Sequence, residues 1–252
     1  MSAMAISWIV FACVFAAALL GMFLRNCLPE HHLNEDSKDV VKVGMALIAT
    51  MSALLLGLLI ASAKGSYDAQ SSELTQLSAN IILLDRILAR YGPETKEVRD
   101  MLRRTVVSVD RRWSQGTSRS EKLDSAETRA GGASFSEKIQ ELAPRNDFQR
   151  SLQGQAVQIA LDLGRARALL LEQAGSSIPT PFLVVVVFWL AVIFTSFGLF
   201  APYNATVIAT LFVCALSVSG AIFLILELDS PFSGLLQISD LPLRNALALL
   251  GQ

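Results

Sequence analysis

The stretch from Gln173 to Leu226 reads QAGSSIPTPFLVVVVFWLAVIFTSFGLFAPYNATVIATLFVCALSVSGAIFLIL and contains no Asp, Glu, Lys or Arg. As a single helix it would extend about 81 Å at 1.5 Å per residue, whereas the hydrocarbon core of a bilayer is about 30 Å thick. The segment Ala201-Pro-Tyr-Asn204 supplies a break, because proline lacks a backbone donor and asparagine suits a turn. The stretch therefore predicts two membrane-spanning helices, over residues 182–200 and 205–226, joined by a tight hairpin.

Two further uncharged runs lie near the N-terminus, over residues 5–24 and 43–63, and each is long enough to cross a membrane. A cleaved signal peptide is the alternative for the first run. That run lacks a positively charged start, however, and it is longer than the apolar region of a signal peptide. The sequence therefore predicts an all-α membrane protein with four transmembrane helices.

The charged residues are concentrated in one part of the chain. The protein has 21 Lys and Arg and 22 Asp and Glu, and 32 of these 43 lie between Lys64 and Glu172. Charged residues make up 17% of the chain, against about 25% in soluble domains, and the net charge of −1 offers no basic surface for nucleic acid. This pattern excludes an ordinary soluble globule, a disordered chain and a nucleic-acid-binding domain.

The charged region, residues 64–180, is predicted to be a helical module between the second and third membrane helices. Apolar residues recur at helical spacing beyond Ala63, so the second membrane helix is expected to continue as far as Tyr91, where Gly92-Pro93 ends it. The module is therefore expected to form a long helical hairpin. Residues 114–134, rich in Ser, Gly and charge, are expected to be a mobile loop, and residues 227–252 a C-terminal tail.

Four crossings place the N-terminus, the module and the C-terminal tail on one side of the membrane. Basic residues near the membrane ends are modestly more numerous on that side, which predicts that it is cytoplasmic. The three cysteines, Cys13, Cys27 and Cys214, are scattered and odd in number, so they do not form a disulfide framework.

No catalytic arrangement or metal-ligand spacing occurs in the sequence, so we expect no enzyme activity, no cofactor and no metal. The histidines, His31 and His32, are adjacent in a polar segment that precedes the second membrane helix. A pH-sensing loop is the functional interpretation of this pair. The favoured alternative is a solvated loop whose serine and aspartate residues cap the following helix.

Small residues recur at every fourth position of the second membrane helix, at Ala49, Ala53, Gly57 and Ala61. Such a ridge allows helix backbones to approach closely in lipid. The favoured interpretation is helix packing, and the alternative is that this face lines a permeation path.

Three charges are predicted to lie at the cytoplasmic membrane boundary, namely Lys64, Glu227 and Asp229. They could pair across helices, or they could form charged rings that select ions in an oligomer. Long helices with narrow apolar stripes favour a homo-oligomer, because such stripes find partners on neighbouring subunits.

Several segments resemble the bacterial bestrophin-like family, a group of prokaryotic membrane proteins largely of unassigned function. These segments are Leu28-Pro-Glu-His-His-Leu, Gly57-Leu-Leu-Ile-Ala-Ser-Ala-Lys-Gly-Ser-Tyr-Asp68, Arg90-Tyr-Gly-Pro93, Ser196-Phe-Gly-Leu-Phe-Ala-Pro202 and Leu226-Glu-Leu-Asp-Ser-Pro-Phe-Ser-Gly234. The layout is also similar, more distantly, to the bestrophins, which are pentameric anion channels with four membrane helices and cytoplasmic termini.

The resemblance implies a homo-oligomeric ion channel of the bacterial inner membrane, with five subunits as in bestrophins and anions slightly favoured. Its partners would be membrane lipid and a permeant inorganic ion. The second helix is expected to line the pore, with aliphatic residues where bestrophins carry an aromatic neck. The candidates for the pore lining or gate are Leu54, Leu55, Leu58, Leu59 and Ser62. The alternative is a non-conducting membrane adaptor or sensor whose helical hairpin binds a partner protein.

Overall fold

A computed structural model of the protein describes residues 2–27, 35–114, 135–172, 180–231 and 234–250, and within these ranges it contains helices and no strand. A short helical segment covers residues 135–140, and Pro93–Thr95 forms one 3-10 turn. The longer helices are α1 (Ala3–Cys27), α2 (Glu35–Tyr91), α3 (Lys96–Ser114), α4 (Asp147–Glu172), α5 (Thr180–Phe200), α6 (Ala205–Leu228) and α7 (Leu241–Leu249).

Among the described residues, four helices are long and apolar enough to cross a membrane, namely α1, α2, α5 and α6. The prediction of an all-α protein with four membrane-crossing helices is therefore confirmed. The break between α5 and α6 falls at Pro202, whose carbonyl oxygen accepts a hydrogen bond from the Asn204 N–H at 2.9 Å. Helix α2 continues without interruption to Tyr91, as the sequence predicted.

The chain divides into two compact units, which we name the membrane unit and the helical module. The membrane unit consists of Met1–Ser66 and Ser177–Ser230, and the helical module consists of Tyr67–Ser176 and Pro231–Gln252. The predicted mobile loop, apart from Ser114 itself, lies outside the described residues.

Within the membrane unit, α1 packs backbone to backbone against α5. A Cβ atom added to Gly21 of α1 would lie 2.0 Å from the carbonyl oxygen of Thr195. A Cβ added to Gly198 of α5 would lie 2.0 Å from the carbonyl oxygen of Ala18. Because neither position has room for a side chain, the distance between these two helices depends on both glycines.

Helix α1 also contacts α6 through polar and aromatic groups. The buried Ser219 hydroxyl donates a hydrogen bond of 2.6 Å to the Ser7 carbonyl oxygen. Phe212 of α6 packs edge-on against Phe11 and Phe15, with ring centroids 5.3 Å and 5.5 Å away. Helix α1 therefore lies between α5 and α6 in the core of the membrane unit.

The helical module has its own apolar core, to which α2, α3, α4 and α7 all contribute. An ion pair joins α2 to α3, where Arg99 donates two hydrogen bonds to the buried Asp85 carboxylate, of 2.7 Å and 2.8 Å. These hydrogen bonds to Asp85 raise the pKa of Arg99, so the guanidinium stays charged. The turn between the two helices is held by Thr95, whose hydroxyl shares its one proton between the carbonyl oxygens of Leu88 and Gly92, at 2.6 Å and 2.8 Å.

The C-terminal region is part of this core. Leu243, Ala246 and Leu250 are buried in the same apolar cluster as α2 and α3. The Arg244 guanidinium lies 2.8 Å from the Asp240 carboxylate and 3.7 Å from that of Asp110 on α3. The region predicted as a tail therefore contains a helix that completes the module.

Replacing Gly21 or Gly198 by alanine is expected to destabilise the membrane unit. The added methyl group would overpack the contact between α1 and α5, at a cost of about 1–3 kcal/mol. The measurement is the thermal unfolding midpoint of the purified protein in detergent. Gly220→Ala is the control, because a Cβ at Gly220 meets nothing within 4 Å. Equal midpoints for all three variants would contradict the close contact.

Removing the Asp85 carboxylate by Asp85→Ala is expected to destabilise the helical module by about 3 kcal/mol, because Arg99 then loses its buried partner. Asp162→Ala is the control. Asp162 pairs with Arg165 one turn away at 3.3 Å on an exposed surface, where such pairs contribute less than about 1 kcal/mol. Chemical unfolding followed by circular dichroism measures the free energy of unfolding of both variants. Similar decreases for the two variants would show that the Asp85–Arg99 ion pair stabilises the module no more than an exposed pair does.

Candidate functional site

Helix α2 is the membrane-crossing helix that the rest of the chain covers least. In the most apolar window of each helix, 11% of the residues of α2 are buried, against 22% in α1 and 28% in both α5 and α6. Monomeric proteins rarely expose contiguous apolar surface of this kind without a partner or lipid against it. The uncovered face of α2 is therefore the candidate functional site.

The pore candidates on α2 divide between the two sides of the helix. Leu59 is 5% exposed and belongs to the core of the membrane unit, against which the half-buried Leu55 also packs. Leu54 and Leu58 are 70% and 63% exposed, and Ser62 is also exposed. Because Leu54 and Leu58 are four residues apart, they lie on nearly the same side of the helix, one turn from each other.

The predicted ridge of small residues lies on exposed surface. Ala49, Ala53, Gly57 and Ala61 are all exposed, and a Cβ at Gly57 would meet nothing within 4 Å. At Gly57, therefore, the ridge does not pack against another described helix of the same chain. The alternative interpretation, that this face lines a permeation path, stays a prediction.

The three boundary charges differ in exposure. Lys64 is exposed, Asp229 is half-buried, and Glu227 is only 6% exposed. Both acidic residues lie at the C-terminal end of α6, where the Asp229 N–H donates to the Ile225 carbonyl oxygen at 3.0 Å. Lys64 is therefore the most exposed member of this set.

The remaining candidates add no chemical site within the described part of the chain. His31 and His32 lie outside the described residues, so the pH-sensing loop stays a prediction. Across the described ranges there is no group of three or more His, Cys, Asp or Glu residues placed to hold a metal ion. Cys13, Cys27 and Cys214 are free thiols on exposed surface.

The sequence did not predict the contacts that join α1 to α5 and α6 in the membrane unit. Gly21 and Gly198 are each the single glycine of a predominantly apolar helix, and small residues also occur elsewhere in both helices. The Ser219–Ser7 hydrogen bond joins residues 212 positions apart. Isolated polar or small residues in opposite membrane helices were the available signal, since such residues tend to face other helices.

Comparisons with known proteins identify a matching family and a similar fold. A family model described as the Bestrophin-like domain matches residues 12–243. The fold is similar to the crystal structure of a bacterial bestrophin homologue from Klebsiella pneumoniae that carries one mutation. That likeness has a TM-score of 0.62 at 15% sequence identity and covers 97% of this chain and 98% of the other. No curated protein matches the sequence.

Leu59→Ala and Leu58→Ala are expected to separate the two sides of α2. Leu59→Ala removes a buried side chain and is expected to cost about 2–5 kcal/mol, whereas Leu58→Ala leaves the protomer core intact. The thermal unfolding midpoint in detergent measures the difference. A larger loss for Leu58→Ala would place Leu58, and not Leu59, in the structural core.

Proposed function

This chain belongs to the bestrophin-like family, and on that basis we propose that it forms a homo-oligomeric ion channel in the bacterial inner membrane. In this proposal α2 lines the pore, both termini and the helical module lie in the cytoplasm, and membrane lipid surrounds the assembly. Five subunits are the stoichiometry that the resemblance to bestrophins favours.

The observation that carries the proposal is the uncovered apolar face of α2. The helix contributes Leu59 and Ala63 to the core of the membrane unit but leaves Leu47, Leu54 and Leu58 largely exposed. In a ring of identical subunits, this face would be enclosed by the other copies of α2. Exposed leucines one turn apart would then form apolar rings about 6 Å apart along the axis.

Rings of this composition can act as a gate. A narrow pore lined by leucine side chains expels water, and ions do not cross a dry constriction. Opening requires only a modest widening or rotation that lets water enter. We therefore assign the closed gate to Leu54 and Leu58, with Ser62 below them as the first polar position.

The ridge of small residues supports contact between neighbouring subunits. Successive residues of a helix are separated by 100°, so Gly57 lies about 100° around α2 from Leu58, and Ala53 lies about 100° from Leu54. A helix whose leucines face a central axis would therefore turn Ala53 and Gly57 sideways toward its neighbour. Close backbone approach at small residues is the usual way helices associate in lipid.

The exposed Lys64 favours anions as the permeant ions. It lies six residues beyond Leu58, about 9 Å further along the helix and about 120° around it, so its long side chain would reach the mouth of the proposed pore from the side of α2 that also carries Gly57. Glu227 is buried in the membrane unit, so it is less suited to face a pore. A ring of ammonium groups at the cytoplasmic mouth would raise the local concentration of anions.

Leu58→Ser is expected to increase ion flux through the protein reconstituted in liposomes, because a polar ring would keep the constriction wet. An increase of about tenfold corresponds to a barrier lowered by about 1.4 kcal/mol. Leu224→Ser is the matched control, since Leu224 is a similarly exposed leucine on α6. Flux of Cl⁻ and of K⁺ measured separately reports selectivity as well as conduction.

Two results would contradict the channel. An equal effect of Leu58→Ser and Leu224→Ser would show that α2 does not line the conducting path. Absence of K⁺, Na⁺, H⁺ and Cl⁻ flux in both the wild type and Leu58→Ser would favour the adaptor or sensor, whose helical module would then retain a partner protein during purification.

A further inference from the structure

Helix α3 separates its residues into an apolar side and a basic side. Val98, Leu102 and Val106 are buried in the core of the helical module. The exposed Arg103 and Arg104 lie on the opposite side, and Arg111 follows two turns later. The basic side of α3 therefore faces away from the core that holds the helix in place.

A cavity of about 570 Å³ lies along this basic side. It is lined by Asp100, Arg103, Arg104, Val107, Ser108 and Arg111, a spacing that follows one face of the helix over three turns. Its volume is within the range of small-molecule sites, which is about 300–1,000 Å³. Among the described lining residues three are arginines and one is acidic, so the side of the cavity formed by α3 is basic.

The arginines of α3 divide by role. Arg99 is held by Asp85 through two short hydrogen bonds and has a structural function. Arg103 and Arg104 instead place two exposed positive charges along the cavity. The Arg104 Nε donates to the Asp100 carbonyl oxygen at 3.3 Å, a contact that uses one of the five N–H donors of the guanidinium. An anion in the cavity would pair with these charges.

We propose that the basic side of α3 binds a small soluble anion that carries phosphate groups. Guanidinium groups present paired N–H donors that match phosphate oxygens. The Arg104 and Arg111 positions are about 10 Å apart along the helix, with Val107 between them, so the cavity suits an anion with more than one phosphate. The described residues of this site belong to the helical module, and the proposal does not depend on the proposed channel function.

The test uses the full-length protein purified in a neutral detergent and titrated with inorganic pyrophosphate in an isothermal calorimeter. The double variant Arg103→Gln/Arg104→Gln is expected to weaken binding at least about tenfold, because it removes both guanidinium forks. The control double variant is Arg150→Gln/Arg165→Gln. It removes the same amount of charge from exposed positions of α4, each paired with a nearby aspartate, and is expected to bind like the wild type.

Unchanged thermal unfolding midpoints confirm that the variants are folded, since all four arginines are on the surface. The proposal is overturned if the wild type shows no saturable binding, or if both double variants lose affinity equally. A parallel arm measures co-sedimentation with vesicles of phosphatidylcholine alone or mixed with phosphatidylglycerol. Binding that depends on Arg103 and Arg104 but occurs only with the anionic vesicles would assign this surface to the membrane and would also overturn the proposal.

Discussion

The contact between the backbones of α1 and α5 at Gly21 and Gly198 determines how the membrane unit is arranged. Lipid tails are as apolar as leucine side chains, so the hydrophobic effect does not hold helices together within a bilayer. Close packing and hydrogen bonds must do so instead. The two glycines allow the helices to approach until a Cβ would lie 2.0 Å from the opposite carbonyl oxygen, and the Ser219–Ser7 hydrogen bond then fixes α6 to the same central helix.

The exposure of α2 follows from this arrangement. Helix α1 packs against both α5 and α6, and the three helices bury more of their membrane-crossing windows than α2 does. Helix α2 therefore contributes one narrow side to the core, centred on Leu59 and Ala63. Its other sides remain available for lipid, for a pore or for other subunits. A helix with one anchored side and one free apolar side is well suited to line an oligomeric pore, because the anchored side keeps the free side oriented.

The sequence predicted the fold well because the bilayer leaves few alternatives. Every backbone polar group must be satisfied within the membrane, so an apolar run of sufficient length becomes a helix. The uncharged region from Gln173 to Leu226 and the break at Pro202 were therefore enough to place α5 and α6. The continuation of α2 to Tyr91 could be predicted in the same way, because Gly92 and Pro93 are the first strong helix-ending signal after the membrane segment.

The orientation of each helix could not be predicted in the same way. Residues 54–59 of α2 are all apolar or glycine, so hydrophobic periodicity does not distinguish the exposed Leu58 from the buried Leu59. The most regular pattern of small residues, on α2, has no neighbour at Gly57 within the chain, while single glycines on α1 and α5 make the closest contact. Which small residues meet depends on three-dimensional packing between distant segments, and that information is absent from local spacing.

The helical module shows the same dependence on distant segments. Its core needs the chain to return after α6, because Leu243 and Ala246 of α7 are fully buried beside residues of α2 and α3. Arg244 of α7 adds a contact to Asp110 of α3 across that junction. Residues 67–172 are therefore not an independent insertion between two membrane helices. A variant that lacks the module but retains α7 would leave Leu243 without the residues that bury it. If such a variant lost a bound partner protein, the loss could result from misfolding as well as from the missing binding surface. Substitutions on the surface of α3, which leave the core residues in place, separate the two effects.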